Sequence, residues 1–302
     1  MKKCINICKQ PERIISLAIL IVMLQITTAM AQDTHLKRSA NSISEVRTEI
    51  TTTTAHYKPM FGLGDKDSEF VKGIKRYGYL TIDSFGKSNI VSYANEEQIL
   101  FVLNGTGMLH YNNIDMPIAE NDFMYIPVGT RFGITNPRDK PVTIVVMGFI
   151  ISPGTRIEPT PKLMIANTNE VVFQEVAENG PTTLFQLLMG TTESQRDRLA
   201  ATYQVTSLFI MNLAENGTNI PHKHPEEEEI YLILEGVGDI VAGEEAYDGT
   251  EIRRPAKPGD AFFFGPSTLV GFYNLTPGGK HAKILAVRFL YSPQPPRVPT
   301  NR

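Results

Sequence analysis

The sequence predicts an all-β protein in which one barrel or sandwich unit is written twice. Three observations carry this. Short apolar runs alternate with Gly, Pro and Asn turns, two blocks of sequence repeat at a wide spacing, and helical periodicity is nearly absent. The chain has 302 residues, 42% of them hydrophobic and 20% charged, with 23 Gly and 20 Pro. That composition excludes a collagenous, coiled-coil or wholly disordered chain. Its length accommodates two domains of roughly 100–200 residues. With 29 basic against 32 acidic residues, the net charge of −3 argues against a nucleic-acid surface.

The first element is an address. Lys2, Lys3, Lys9 and Arg13 precede an apolar run from Ile14 to Leu24, and Ala-Met-Ala ends at Ala31. This is the pattern of a signal peptide over residues 1–31. The apolar run is about half the ~20 residues that span a bilayer, so no membrane association is expected after cleavage; a retained N-terminal anchor is the alternative. Cutting after Ala31 leaves 271 of the 302 residues and removes Cys4 and Cys8, the only cysteines. It also removes four basic residues and one acidic, taking the charge from −3 to −6. The expected location is periplasmic or extracellular. A disulfide-free exported protein must rest on its core alone.

Residues 32–55 are polar and Ser/Thr-rich, and read as a flexible lead-in. Strands are expected around Tyr79–Ile82, Ile99–Leu103, Phe123–Ile126 and Val142–Phe149. A second set is expected around Val205–Asn212, Ile230–Leu234, Ala261–Phe264 and Ile284–Tyr291. Glu193–Ala201 is the best candidate for a helix. The repeat sets QILFVLNGTG (98–107) against EIYLILEGVG (229–238). Gly105 and Gly236 lie 131 apart, and Asn136 and Asn274 lie 138 apart. The second copy therefore carries seven more residues, placed most simply in Gly243–Arg254. A Pro/Gly-rich boundary at Ser152–Lys162 divides a first unit, 56–160, from a second, 161–295, followed by a tail, 296–302.

The second unit carries the chemistry. On a strand, His222 and His224 share one face, Pro225 ends the strand, and Glu229, Tyr231 and Ile233 share a face of the next. Two imidazoles and a carboxylate can converge from paired strands, a set that suits Fe(II), Mn(II), Zn, Ni or Cu. Tyr231 is either a proton carrier or barrel lining. Arg288, inside an apolar run, is either a clamp for an anionic substrate or an outward charge. Val270 and Phe272 should face inward and, with Phe262 or Phe264, make that side of the cavity apolar. No nucleophile elbow or P-loop pattern is present.

The spacing H-x-H-x4-E-x6-G, on His222, His224, Glu229 and Gly236 with Gly217 before it, resembles the first signature motif of the cupin superfamily. The block PGD-x-F-F-F-G-P-x4-G-F-x-N, with Gly259 and Asn274, resembles the second. The resemblance covers roughly residues 75–292 and implies a bicupin: two tandem jelly-roll-type β-barrels. It also implies a divalent metal in the C-terminal barrel, held by His222, His224 and Glu229. The family's second motif adds a histidine four residues before its Asn; here that position is Val270, so open positions fall to water or substrate. Glu228, one residue out of register, is the reserve carboxylate. In the first unit the ligand positions are Val91, Tyr93, Gln98 and Phe132, so that barrel is expected to be degenerate. It would keep the fold, cap the other barrel or supply a dimer surface.

What the resemblance implies for function is a metal-dependent enzyme on a small organic substrate, led by dioxygenases in the quercetinase style. A metal-dependent isomerase or lyase on a sugar or hydroxy acid, and a non-catalytic small-ligand-binding cupin, are the alternatives. Bicupin decarboxylases of the oxalate type rank lower, because they keep four ligands. A homodimer is a further expectation of the resemblance.

Overall fold

A computed structural model of the chain describes residues 35–158, 160, 162–176, 179–243 and 250–290. The expected signal peptide and the tail lie outside the described residues. The first half contributes β1 (His35–Ser39), β2 (Ala55–Gly62), β3 (Ile74–Ile82), β4 (Glu96–Asn104) and β5 (Thr106–Tyr111). It continues with β6 (Ile114–Ala119), β7 (Asp122–Ile126), β8 (Phe132–Thr135), β9 (Val142–Ile150) and β10 (Met164–Asn167). The second half contributes β11 (Thr183–Thr191), β12 (Leu199–Thr202), β13 (Val205–Leu213), β14 (Thr218–Lys223) and β15 (Glu227–Glu235). It ends with β16 (Gly238–Gly243), β17 (Arg253–Ala256), β18 (Asp260–Phe264), β19 (Leu269–Asn274) and β20 (Ala282–Leu290).

These strands form two barrels, as the repeat predicts. The N-terminal barrel closes a six-stranded sheet, β10-β7-β4-β9-β3-β2, over a three-stranded one, β6-β5-β8. The C-terminal barrel closes a seven-stranded sheet, β1-β18-β15-β20-β13-β11-β12, over a four-stranded one, β14-β19-β16-β17. β5 and β6 are joined by Asn112 and Asn113, with Asn112 at φ 53, a tight hairpin turn. β16 and β17 are joined by residues 244–252. The seven extra residues of the second copy thus fall between these strands.

Strand alternation explains how one sequence face serves two cores. In β15, Tyr231 and Ile233 enter the C-terminal barrel's interior with Ile240, Phe262, Val270 and Phe272. Their neighbours Ile230 and Leu232 point the other way, into a core shared by both barrels with Phe101, Tyr125, Val145 and Phe149. The two large sheets therefore pack back to back through their outer faces.

Buried carboxylates clip the barrels together. Glu97, in β4, accepts hydrogen bonds from the amides of Tyr203 (2.9 Å), Gln204 (2.8 Å) and Val205 (3.3 Å) at the start of β13. The Tyr125 hydroxyl also donates to it, at 3.1 Å. Glu228 occupies the same place in β15 and accepts from the amides of Lys72 (3.0 Å) and Gly73 (2.8 Å), just before β3. Burial pushes the Glu228 carboxyl up to about 7 while those amides pull it down. Glu228 is thus not a reserve metal ligand, because the pleat turns it away from Glu229 toward the other barrel.

Three further expectations are corrected. Residues 35–55 are not a loose lead-in: β1 pairs antiparallel with β18, Val46 bridges to Tyr57, and Ile50 is buried. A boundary at 160/161 separates β10 from the sheet it completes, since β10 pairs antiparallel with β7 of the N-terminal barrel. The segment before each barrel thus edges the large sheet of the other one. Glu193–Ala201 is not helical. The Ser194 hydroxyl accepts from the amides of Arg196 and Asp197, closing a turn, and Leu199 onward pairs parallel with β11.

Glu97→Ala leaves three backbone amides, two of them buried, without an acceptor. It is expected to cost about 3 kcal/mol in chemical denaturation, whereas truncating the exposed Glu235 should change stability by no more than about 0.5 kcal/mol.

Candidate metal centre

His222 sits near the end of β14, opposite Val270 of β19, beyond a register shift between Asn219 and His222. Pro221 and Pro225 flank the histidine pair and keep this edge extended, each withholding a backbone donor. His224 lies one residue past the strand. The two rings stand 4.7 Å apart between centroids and nearly perpendicular. Glu229 enters from β15, buried, between Phe264 of β18 and Arg288 of β20. One ligand atom from each of His222, His224 and Glu229 lies within 4.8 Å of the others. The strands therefore bring together the three residues that the spacing singles out.

The chemistry of the set fits a divalent cation. His222 Nδ1 lies 2.7 Å from the Ile220 carbonyl, which can only accept, so Nδ1 carries the proton and Nε2 keeps its lone pair. Burial first, then Arg288, then His222 hold the His224 imidazole down to about 3, so it is neutral and ready to ligate. Burial pushes the Glu229 carboxyl up to about 8, Glu227 adds to this, and Arg288 partly offsets it. Glu229 Oε2 is buried with no hydrogen-bond partner, 3.6 Å from His224 Nε2. A buried, partnerless carboxylate oxygen within 4.8 Å of two imidazole nitrogens is what a cation would satisfy. Val270 offers only a side-chain methyl face, so three protein donors leave coordination positions open.

A cavity of about 320 Å³ opens beside the three ligands. Tyr231 and Arg288 both line it. The Tyr231 hydroxyl accepts from Asn219 Nδ2 at 3.0 Å, and burial raises its pKa well above the ordinary phenol value, so it is a neutral proton-holding group. Arg288 points inward: its Nη1 lies 3.2 Å from His224 Nδ1 and 3.8 Å from Glu227 Oε2, and its guanidinium sits over the Phe209 ring at 5.7 Å. Val270, Phe262, Phe264 and Phe272 face the interior, but they are packed core. The apolar wall of the cavity comes instead from Phe185 and Leu187 of β11 and Phe209 and Met211 of β13. Asn219, Ser207 and Arg196 also line it and were not singled out from the sequence. An Asn and a Ser at inward registers beside a histidine pair were the available signal.

The N-terminal barrel fills the matching place with protein. Val91 bridges to Phe132 as His222 pairs with Val270, and Gln98 pairs with Gly148 as Glu229 pairs with Arg288. Arg76, on β3, occupies this space. It makes two hydrogen bonds to Glu96 (2.8 and 3.1 Å), one to Glu49 (2.7 Å) and one to the Tyr93 hydroxyl (3.1 Å). Gly148 makes room: a Cβ there would lie 2.6 Å from Arg76 Cγ and from Gln98 Nε2. By register Tyr93 and Glu96 match His224 and Glu227, which Arg288 approaches at 3.2 and 3.8 Å, so the Arg76 guanidinium is the counterpart of that of Arg288.

Metal uptake at this site would carry a proton signature. Because Glu229 holds its proton up to about pH 8 in the metal-free protein, ligation displaces it. Calorimetry at pH 7 in buffers of different ionisation enthalpy should show about one proton released per ion, and affinity should rise with pH and level off above about 8. A Glu229→Gln protein should release none. Proton-neutral uptake by the wild type would contradict the assignment of Glu229.

Residues 209–288 match the family model of the cupin domain. No curated protein matches the chain. Among solved structures, a putative glyoxylate-induced protein from Pseudomonas aeruginosa superposes with a TM-score of 0.67 at 14% identity, over 90% of this chain and 94% of that one. AerE from Microcystis aeruginosa gives 0.57 at 14% identity, over 82% and 97%. The oxalate decarboxylase of Lactobacillus farciminis, as its formate complex, gives 0.62 at 12% identity, over 86% of each chain. These likenesses establish the fold. With a cupin domain at 209–288 and a second barrel of the same build before it, the chain has the fold of a bicupin, two tandem cupin-type barrels.

Proposed function

We propose that this bicupin is an exported, metal-dependent enzyme that binds one divalent ion through His222, His224 and Glu229 and acts on a small organic substrate by dioxygenase-type chemistry. One observation carries the reading: the three donor atoms lie within 4.8 Å of one another, one of them the partnerless buried Glu229 oxygen, at the wall of a cavity large enough for a small molecule. When bound, the metal would supply Lewis-acid or redox activation at its open positions. The chain's own residues do the rest. Arg288 places positive charge beside the site, the Tyr231 hydroxyl accepts from Asn219 Nδ2 and keeps its own proton to give, and Phe185, Leu187, Phe209 and Met211 make part of the wall apolar.

The dioxygenase assignment rests on the cupin resemblance together with that aromatic wall, which suits a phenolic or aromatic body. A metal-dependent isomerase or lyase is the second reading. The observation favouring it is the Tyr231–Asn219 pair, which can move a proton without oxygen. Export is part of the proposal. It rests on the signal-peptide pattern of residues 1–31.

The test is oxygen uptake by metal-loaded protein with a panel of phenolic and hydroxy-acid compounds. Substrate-dependent uptake that is lost in His222→Ala, with kcat down about 100-fold in Tyr231→Phe at unchanged metal content, is the expected result. Turnover without oxygen consumption would move the assignment to the isomerase or lyase class. Tight binding with no turnover of any compound would leave a ligand-binding cupin and overturn the enzyme reading.

A further inference from the structure

The chain crosses from one barrel to the other along a strap, residues 40–54, that joins β1 to β2. At one end the Ala40 amide donates to the Gly259 carbonyl, just before β18, at 3.0 Å. Further along, the Val46 amide donates to the Tyr57 carbonyl of β2 at 2.9 Å. Past that point the strap delivers Glu49 to Arg76 and buries Ile50 in the N-terminal core. Between Ala40 and Val46 the one charged residue is Glu45.

Glu45 is tied down through an imidazole. His56, on β2, sets Nδ1 3.1 Å from Glu45 Oε2 and Nε2 3.0 Å from Asp83 Oδ2, just past the end of β3. A neutral imidazole carries one N–H and one lone pair, so it donates to only one of two carboxylates. Only the imidazolium donates to both. The other titratable groups along this groove are Lys58, on the same strand, and Tyr79, on β3; neither bonds to the ring. The internal repeat isolates the device. Val46 bridges to Tyr57 as Gln174 bridges to Phe185, and the Asp83 amide donates to the Thr54 carbonyl as that of Ala214 does to Thr182. Glu45, His56 and Asp83 therefore correspond to Phe173, Leu184 and Ala214, none of which titrates.

We propose that Glu45, His56 and Asp83 form a pH-sensitive latch on the strap between the barrels, closed while the imidazole is charged and opened by its deprotonation. The hydrogen bond to Asp83 raises the His56 pKa above the ordinary imidazole value; burial opposes this, and the charges of Asp83 and Glu45 add to it. A folded-state pKa above the unfolded one makes the contribution complete below the unfolded value and lost as pH rises through the folded one. Acid strong enough to neutralise Glu45 and Asp83 opens the latch from the other side. The side chains of His56, Glu45 and Asp83 are 32%, 52% and 46% exposed, so salt also weakens it. What loosens is the stretch from Ala40 to Val46. Buried Ile50 and the Glu49–Arg76 pair hold the rest of the strap in place.

The test is amide hydrogen exchange at Val46 in the mature protein between about pH 6 and about pH 9, corrected for the intrinsic pH dependence of exchange, beside an NMR titration of the His56 ring. Protection at Val46 should fall about 5-fold as the pH rises through the His56 transition. Protection at Ile144, on a strand paired on both sides, should stay level. In about 1 M salt the fall at Val46 should shrink. His56→Gln keeps a donor for one carboxylate but cannot take a charge, so its Val46 amide should exchange at the faster, open-latch rate with no transition. A His56 pKa at or below the ordinary imidazole value, or level Val46 protection in the wild type, would overturn the proposal, and neither reading needs a variant. The same transition persisting in His56→Gln would assign it to another group and overturn the proposal as well.

Discussion

In each barrel of this protein one arginine stands against a glutamate and against the residue at the same register of the first motif, Tyr93 in one barrel and His224 in the other. Arg76 reaches in from β3 and is held by Glu96, Glu49 and Tyr93, with its guanidinium 4.0 Å from the Tyr93 ring centroid. In the C-terminal barrel Arg288 takes that place, 3.2 Å from His224 Nδ1 and 3.8 Å from Glu227 Oε2, yet Glu229 keeps an unpaired buried oxygen beside the neutral His224. Leaving an acid unpaired in a low-dielectric interior is expensive. The difference between the barrels is therefore that partnerless Glu229 oxygen, where the N-terminal barrel has the uncharged Gln98.

The same strand pleat that aims Glu229 inward aims Glu228 outward. Because Glu228 ties to Lys72 and Gly73, the strand bearing the metal-type ligand is anchored in the other barrel. Glu97 makes the reciprocal tie to the start of β13, the strand that carries Ser207 and Phe209 along the cavity. The degenerate barrel thus contributes rigidity to a site whose residues it does not supply. The edge strands β1 and β10 reinforce this, since neither large sheet is completed without a segment from the far side.

The fold and the convergence of His222, His224 and Glu229 were legible in the sequence because both depend on local spacing. Alternation puts His222 with His224 and Glu229 with Tyr231, whatever the tertiary context. The direction of Arg288 was not legible, because a charge in an apolar strand has two possible faces and only pairing with Glu229 selects one. The exchange of β1 and β10 was hidden for a related reason: edge pairing is decided between distant segments, and a short polar strand looks like a linker. Arg76 left a trace that went unread. Gly148 interrupts the apolar run of β9, and a strand glycine marks a place where something approaches closely; the approaching atom is Arg76 Cγ.

The most direct test of this account is elemental metal analysis of mature protein from its own compartment, beside His222→Ala/His224→Ala and Arg76→Met proteins. The account predicts about one equivalent of a divalent transition metal per chain, lost in the histidine variant and retained in the arginine one. No metal in the wild type after reconstitution, or an equivalent that survives loss of both histidines, would contradict it.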